Sequence, residues 1–348
     1  MIEPTGILSG LIVGILFGFA LQRGRFCMNS AFRDIILLKE YTLLKAVIVA
    51  IIVSMLGFHL MVNFGVIQLN PKPFFWGANI VGGFIFGIGM VLAGGCSSGT
   101  TYRVGEGMVG SLVALLGFMM SAVITGSGAL SRVASDLQTT TKITITDPGP
   151  PVAFKNPTLA NIIGVDPWII VIVIAIVGIG VLAWKRGGGE KTEGSLSEKI
   201  FKRGWPWWAT GIVIGIIAII AFPASAATGR NYPLGITVGW QTFLNTIIKG
   251  DANILFWETF LVIGVVIGAA IAAVVAGEFK LRAPGPRRLV QQFIGGLLLG
   301  IGAIIANGCN IGHILSGVPQ LAIGSIIAGF FIIMGCWVTA YILLMRGK

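Results

Sequence analysis

Four cysteines stand in this chain of 348 residues, and two of them occupy the same place in a repeated frame. Gly82 to Gly99 (GGFIFGIGMVLAGGCSSG) and Gly295 to Gly312 (GGLLLGIGAIIANGCNIG) share nine of eighteen residues at a constant offset of 213, with Cys96 matching Cys309. A matched cysteine inside a matched glycine frame is hard to obtain by chance. Glycine interrupts a long apolar run just before each cysteine, as Gly94-Gly95 in one copy and Gly308 in the other. Ser97, Ser98 and Thr100, or Asn310, then follow as expected N-caps for a helix that resumes, and Gly99 and Gly312 close the frame. A resumed helix would aim free N–H groups and the positive end of its dipole at the break, which makes an anion site. A third segment, Gln22 to Asn29 (QRGRFCMN), places Cys27 after a glycine-broken turn carrying Arg23 and Arg25, and is echoed without its cysteine at Gly229-Arg230. Arg23 reads as an ordinary basic anchor at a membrane edge, whereas Arg25, beside the cysteine, is a candidate for the site. Cys336, between Gly335 and Trp337 with no helix break beside it, reads as packing.

A neutral S–H is a soft, weak donor that suits a sulfur acceptor better than a hard oxygen, whereas a thiolate would repel an anion. Other chemistries lack their residues. There is no P-loop, no plausibly placed Ser/His/Asp set and no carboxylate pair inside an apolar run that could relay Na⁺ or H⁺. Cys309 and His313 could share a helix face, but no second paired element accompanies them and His59 is solitary, so neither a metal nor a cofactor is expected.

The elements that must position these cysteines are membrane helices. AVILMFWYC make up 55% of the chain and charged residues only 11%, where a soluble domain carries roughly 25%. Mean hydropathy is +0.92. This composition excludes disorder, nucleic-acid binding and secreted disulfide scaffolds, and predicts an all-α polytopic membrane protein. Nine spans are expected, at 7–21, 42–64, 76–98, 107–127, 161–184, 207–223, 255–277, 290–308 and 320–345, with short re-entrant helices at the glycine breaks. Within a single membrane domain, 1–348, the expected parts are a first repeat half (1–127), an outer loop, connecting span and inner loop (128–206), and a second half (207–348). With the N-terminus outside and the C-terminus cytoplasmic, the inner loops collect 18 of the 24 Lys and Arg, including the run from Lys185 to Arg203 and the group from Lys280 to Arg288. The Pro-rich stretch from Asp147 to Pro157 then lies outside. On that topology the two copies enter from opposite sides, so the repeat is inverted, as in transporters whose substrate site lies near the midplane.

GGCSSGTTYR at Gly94 to Arg103, RGRFC at Arg23 to Cys27 and NGCNIGH at Asn307 to His313 resemble the YeeE/YedE family, and within it the members that take up thiosulfate. The resemblance covers nearly the whole chain. It implies a monomeric protein of the cytoplasmic (inner) membrane, pinched like an hourglass, in which three cysteines stack along a central path and pass thiosulfate through S–H···S⁻ hydrogen bonds. Cys96 takes the central role, with Cys27 and Cys309 flanking. The resemblance also implies a cytoplasmic sulfur carrier of the TusA type (TsuB type) as partner. No such domain follows Arg346, so the carrier is expected in trans, docked on a basic inner face of Arg103, Lys199, Lys202, Arg282, Arg287 and Arg288. Thiosulfate and membrane lipid are the other expected partners. A membrane sulfurtransferase that forms a persulfide on Cys96, a non-transporting scaffold for a sulfur carrier, and a transporter of a related sulfur or selenium anion stay open beside this reading.

Overall fold

A computed structural model describes residues 4–145, 156–184 and 198–345. Its elements are helical: α1 Pro4–Arg23, α2 Met28–Leu37, α3 Thr42–Asn63, α4 Trp76–Ala93, α5 Ser97–Gly105, α6 Val109–Gly126, α7 Ser131–Thr140, α8 Leu159–Ile163, α9 Pro167–Trp184, α10 Trp207–Ala226, α11 Thr237–Lys249, α12 Trp257–Val275, α13 Pro286–Ile305 and α14 Ile323–Ala340. A π-helical turn, Ile311–Gly317, stands between the last two, and the one small ribbon among the described residues pairs Phe74–Phe75 with Lys142–Ile143. Among the described residues eight helical stretches are long and apolar enough to cross a membrane, and the apolar helix Pro167–Ala183 is a shorter ninth. The expected span 76–98 is not one helix, because α4 stops at Ala93 and α5 begins at Ser97. Most of the Pro-rich stretch, most of the basic run from Lys185 to Arg203, and Arg346 and Lys348 lie outside the described residues.

Helices in lipid gain little from hydrophobic burial, so they associate through close packing, and small residues allow it. Gly10, Gly14 and Gly18 of α1 press on the carbonyls of Trp257, Leu261 and Val265 of α12, each four residues after the last, so these helices run parallel. Gly211 and Gly215 of α10 do the same against the Ala46 and Ala50 carbonyls of α3. Gly83 and Gly87 of α4 meet the carbonyls of Ala328 and Ile332 in α14, and Gly296 and Gly300 of α13 meet those of Ala114 and Phe118 in α6.

These contacts come in matched pairs. Mapping α1, α3, α4 and α6 onto α10, α12, α13 and α14 turns the α1–α12 contact into α10–α3, and α4–α14 into α13–α6. The pair α4–α13 maps onto itself and runs antiparallel, since Gly82 packs near Ala306 while Ala93 packs near Gly295. A twofold axis that relates two antiparallel helices lies across them. The repeat is therefore inverted, as the sequence predicts.

Candidate functional site

All three candidate cysteines stand at helix breaks. α4 ends at Ala93 and is capped by Gly94 with φ +73°, and after α13 ends at Ile305 the chain turns at Asn307 with φ +61°, 213 positions after Gly94. That left-handed stop favours Gly and admits Asn, so Asn307 fills in the second copy the place Gly94 has in the first. A cation holds each freed carbonyl. Arg103 Nη1 donates to Gly94 O at 2.6 Å, and Lys72 Nζ donates to Asn307 O at 2.5 Å.

After the first break Cys96 is itself the N-cap of α5, its Sγ accepting from Gly99 N–H at 3.3 Å. The sequence expectation that Ser97, Ser98 and Thr100 cap this helix is therefore corrected. Ser97 opens the helix, and Thr100 Oγ1 donates back to the carbonyls of Cys96 and Ser97, where the backbone already offers acceptors. Ser98 Oγ stands 3.4 Å from Cys96 Sγ. Asn310 precedes the turn Ile311–Gly317 but makes no side-chain cap there. Instead Ser97 Oγ donates to Asn310 Oδ1 at 3.0 Å across 213 residues, and Asn310 Nδ2 donates to Met28 Sδ at 3.1 Å. A residue bonded to its own repeat counterpart lies on the twofold axis, so Ser97 and Asn310 mark the centre of the inverted pair.

Cys27 is the N-cap of α2, and its Sγ lies 3.9 Å from Cys96 Sγ. Gly99 makes room for both thiols, since a methyl group there would stand 2.7 Å from Cys27 Sγ and 3.3 Å from Cys96 Sγ. Both cysteines are buried. Cys309 is brought to a different place, a cavity of about 250 Å³ lined also by Gly308, Gly312, Lys72, Tyr232, Thr237 and Glu258. Gly95 sits against Thr100 and the Arg103 guanidinium. Cys336, expected to pack, is buried with its Sγ 3.8 Å from Asn29 Oδ1. His313 is held by Ser325 Oγ and the Ala306 carbonyl, and among the described residues no three His, Cys, Asp or Glu side chains group as metal ligands would.

Ion pairs tie the outer ends of this arrangement. Near α2, Arg25 (φ +48°) pairs with Glu106 at 3.2 Å and Glu278 at 2.8 Å, and Gln22 Nε2 donates to both carboxylates. Arg23 pairs with Glu278 too and is fully buried, so it is no surface anchor. Burial pushes the Glu278 carboxyl up, but the Gln22 hydrogen bond and the charges of Arg25 and Arg23 outweigh it and hold it below the usual range. At the opposite end Arg230 pairs with buried Glu258 and donates to the carbonyls of Tyr232 and Pro233. These two places are called the Arg25 end and the Arg230 end below. Lys280, Arg282, Arg287 and Arg288 gather at the Arg25 end, where Arg282 pairs with the chain at Gly107 and Val109. Arg103 is turned inward onto Gly94 and forms no part of an exposed basic face. Sequence reasoning missed Lys72, Tyr232 and Thr237, which no motif marks, and Met28, whose one signal is its place after Cys27 in Gln22–Asn29.

A family described as "Sulphur transport" matches residues 23–338. The chain is 43% identical to the thiosulfate transporter TsuA of Spirochaeta thermophila, over 98% of this chain and 100% of that one. It is 35% identical to the thiosulfate transporter TsuA of Escherichia coli, over 98% and 95%. A probable transporter of Escherichia coli, YedE, is 40% identical over 100 residues, which is 28% of this chain.

Proposed function

Since the chain belongs to the sulphur-transport family, the YeeE/YedE family its motifs resemble, we propose that it carries thiosulfate across the cytoplasmic membrane along Cys309, Cys96 and Cys27. It acts as a transporter and not as an enzyme, in line with the names its relatives carry. The observation that supports this reading most is the pair of buried thiols 3.9 Å apart at the start of two helices. A dianion that leaves water loses its hydration, and helix N-termini and hydrogen-bond donors replace part of it. The thiols supply soft donors to the terminal sulfur, while backbone N–H groups and hydroxyls suit the oxygens. The basic Arg25 end faces the cytoplasm, with the N-terminus outside. There the exposed Lys202, Arg282, Arg287 and Arg288 are the surface for a TusA-like carrier in trans, without Arg103.

Labelled thiosulfate uptake by the purified chain in liposomes tests the reading. Uptake is expected without the carrier, with sulfate a poor substrate, and Cys96→Ser is expected to be impaired because it keeps a donor of similar shape but a harder one. Equal transport of sulfate, or full activity in Cys96→Ser, would remove the sulfur-specific argument. A stable gain of one sulfur on Cys96 during turnover would replace transport with sulfur transfer.

A further inference from the structure

We propose that Asn79 and Gln292 are a pair of positioning residues, each holding across the twofold axis the carbonyl three residues before the cysteine of the other repeat copy. Their role rests on the transport reading and concerns what sets the thiols in place. Gln292 Nε2, on α13, donates to Ala93 O at 3.3 Å, and Asn79 Nδ2, on α4, donates to Ala306 O at 3.0 Å. Positions 79 and 292, like 93 and 306, stand 213 apart, the offset that relates Cys96 to Cys309. Glycine makes room for each amide at the second residue of a neighbouring helix. An added methyl at Gly110 of α6 would stand 2.1 Å from Gln292 Oε1, and at Gly324 of α14 it would stand 3.2 Å from Asn79 Oδ1 and 2.5 Å from Pro73 O.

The last carbonyls of a helix have no N–H of their own helix to accept from, and in the bilayer interior water does not reach them. Most of those at the two breaks find different donors. Gln291 Nε2 donates to Leu92 O, whereas Gln138 Nε2 of α7 donates to Ile304 O and Ile305 O. Arg103 and Lys72 differ likewise at Gly94 and Asn307. The carboxamide at 79 and 292 is the donor that the two copies share. The carbonyl it holds belongs to the peptide that leads into the left-handed residue, Gly94 or Asn307. Because a peptide is planar, fixing that carbonyl fixes the plane from which the left-handed turn swings the chain toward the thiol two residues on.

The two amides are not equally secured. Asn79 is fully buried, its Oδ1 accepts from Phe75 N–H at 3.0 Å, and Ala306 O has a second donor in His313 Nε2 at 2.9 Å. Gln292 Oε1 is buried with no hydrogen-bond partner, and among the described residues Gln292 is the one donor that reaches Ala93 O. A buried acceptor without a donor is costly. An apolar side chain at position 292 would remove that orphan and leave Ala93 O as another, so folding gains little from the amide. What the amide changes is where the Ala93 peptide sits.

Gln292→Leu and Asn79→Leu in the purified full-length protein test the assignment, through the unfolding midpoint in detergent, thiosulfate uptake in liposomes, and mercuric ion binding by Cys27 and Cys96. Mercuric ion bridges two adjacent thiols and gives a mercury–thiolate absorbance, measured in a protein carrying Cys309→Ala and Cys336→Ala. Gln292→Leu is expected to leave the midpoint near wild type while uptake and mercuric affinity each fall about tenfold, as the loss of one buried hydrogen bond does. Asn79→Leu, which leaves Phe75 N–H unpaired, should lower the midpoint more, yet keep uptake within about threefold and mercuric affinity unchanged. Gly110→Ala, which pushes the Gln292 amide aside without altering it, should weaken mercuric binding as Gln292→Leu does. Wild-type uptake and mercuric binding in Gln292→Leu, or losses that follow the midpoint in both variants, overturn the assignment while transport stands. A wild-type protein that moves no thiosulfate overturns the transport reading, and unequal mercuric binding by the two variants then still supports the placement of the thiols.

Discussion

At the Arg25 end Cys96 has a second thiol 3.9 Å away, and the carbonyl its helix break frees is held by Arg103, from the helix that follows the break. At the Arg230 end Cys309 shares its cavity with Ile236, which caps α11 as Cys27 caps α2, and the matching carbonyl is held by Lys72, from the loop before α4. The backbone treats the two breaks alike, down to a left-handed residue at positions 94 and 307. The side chains do not. Two copies of one frame keep the geometry that packing enforces, whereas the side chains around each break are free to diverge. One break sets two thiols side by side, and the other sets a single thiol in a cavity with an ammonium and a hydroxyl.

The largest effect that could break this comparison is at the thiols. Cys96→Ala is expected to abolish measurable thiosulfate uptake, since losing a donor to a dehydrated anion costs about 1.5–3 kcal/mol, or about tenfold to a hundredfold in rate. Cys27→Ala and Cys309→Ala should each reduce uptake by less, and Cys336→Ala should leave it nearly unchanged. A Cys309→Ala protein as inactive as Cys96→Ala would show that the two ends are equivalent after all.

A sharper test uses paired glycines. Gly99→Ala puts a methyl group 2.7 Å from Cys27 Sγ, so one thiol must move and the pair must open. Its counterpart Gly312→Ala meets nothing nearer than Lys72 Cε at 3.6 Å, an ordinary contact. Overpacking costs about 1–3 kcal/mol, so Gly99→Ala should lose about tenfold in uptake while Gly312→Ala stays within about twofold of wild type. Equal losses would mean that glycine is required by the backbone at both places and not by the thiols at one.

The smallest effect concerns the scaffold. In Gly14→Ala the new methyl would stand 2.2 Å from Leu261 O and 2.9 Å from Gly264 Cα, both backbone. In the matching Gly215→Ala it meets Val53 side-chain atoms at 2.7 Å, with the Ala50 carbonyl farther off at 3.1 Å. Side chains yield more readily than a helix backbone, so Gly14→Ala should be the more destabilised, by about 1–3 kcal/mol, read as a lower unfolding midpoint in detergent. The reverse order would place the tighter seam in the second half.

The sequence alone determined that this chain lives in lipid, that its helices break at Cys96 and Cys309, and that two copies of one unit face opposite ways. Composition, glycine spacing and the distribution of Lys and Arg carry that information because the bilayer imposes length, apolarity and charge bias on every span. The tertiary structure decided which groups meet. Ser97 bonds to Asn310 because both lie on the twofold axis, a consequence of how the halves dock and not of any local motif. Cys96 caps its own helix, which removes the role expected for the serines beside it. Lys72 sits in an unremarkable NPKPFF loop, and Thr237 is one polar residue at a helix start. Neither has a signature, because each takes its place from the cavity it lines and not from its neighbours in the chain. Local sequence can announce a helix break. Only the folded chain brings the cation, the hydroxyl and the thiol to a single cavity, since Lys72 comes from the first half and Thr237 and Cys309 from separate segments of the second.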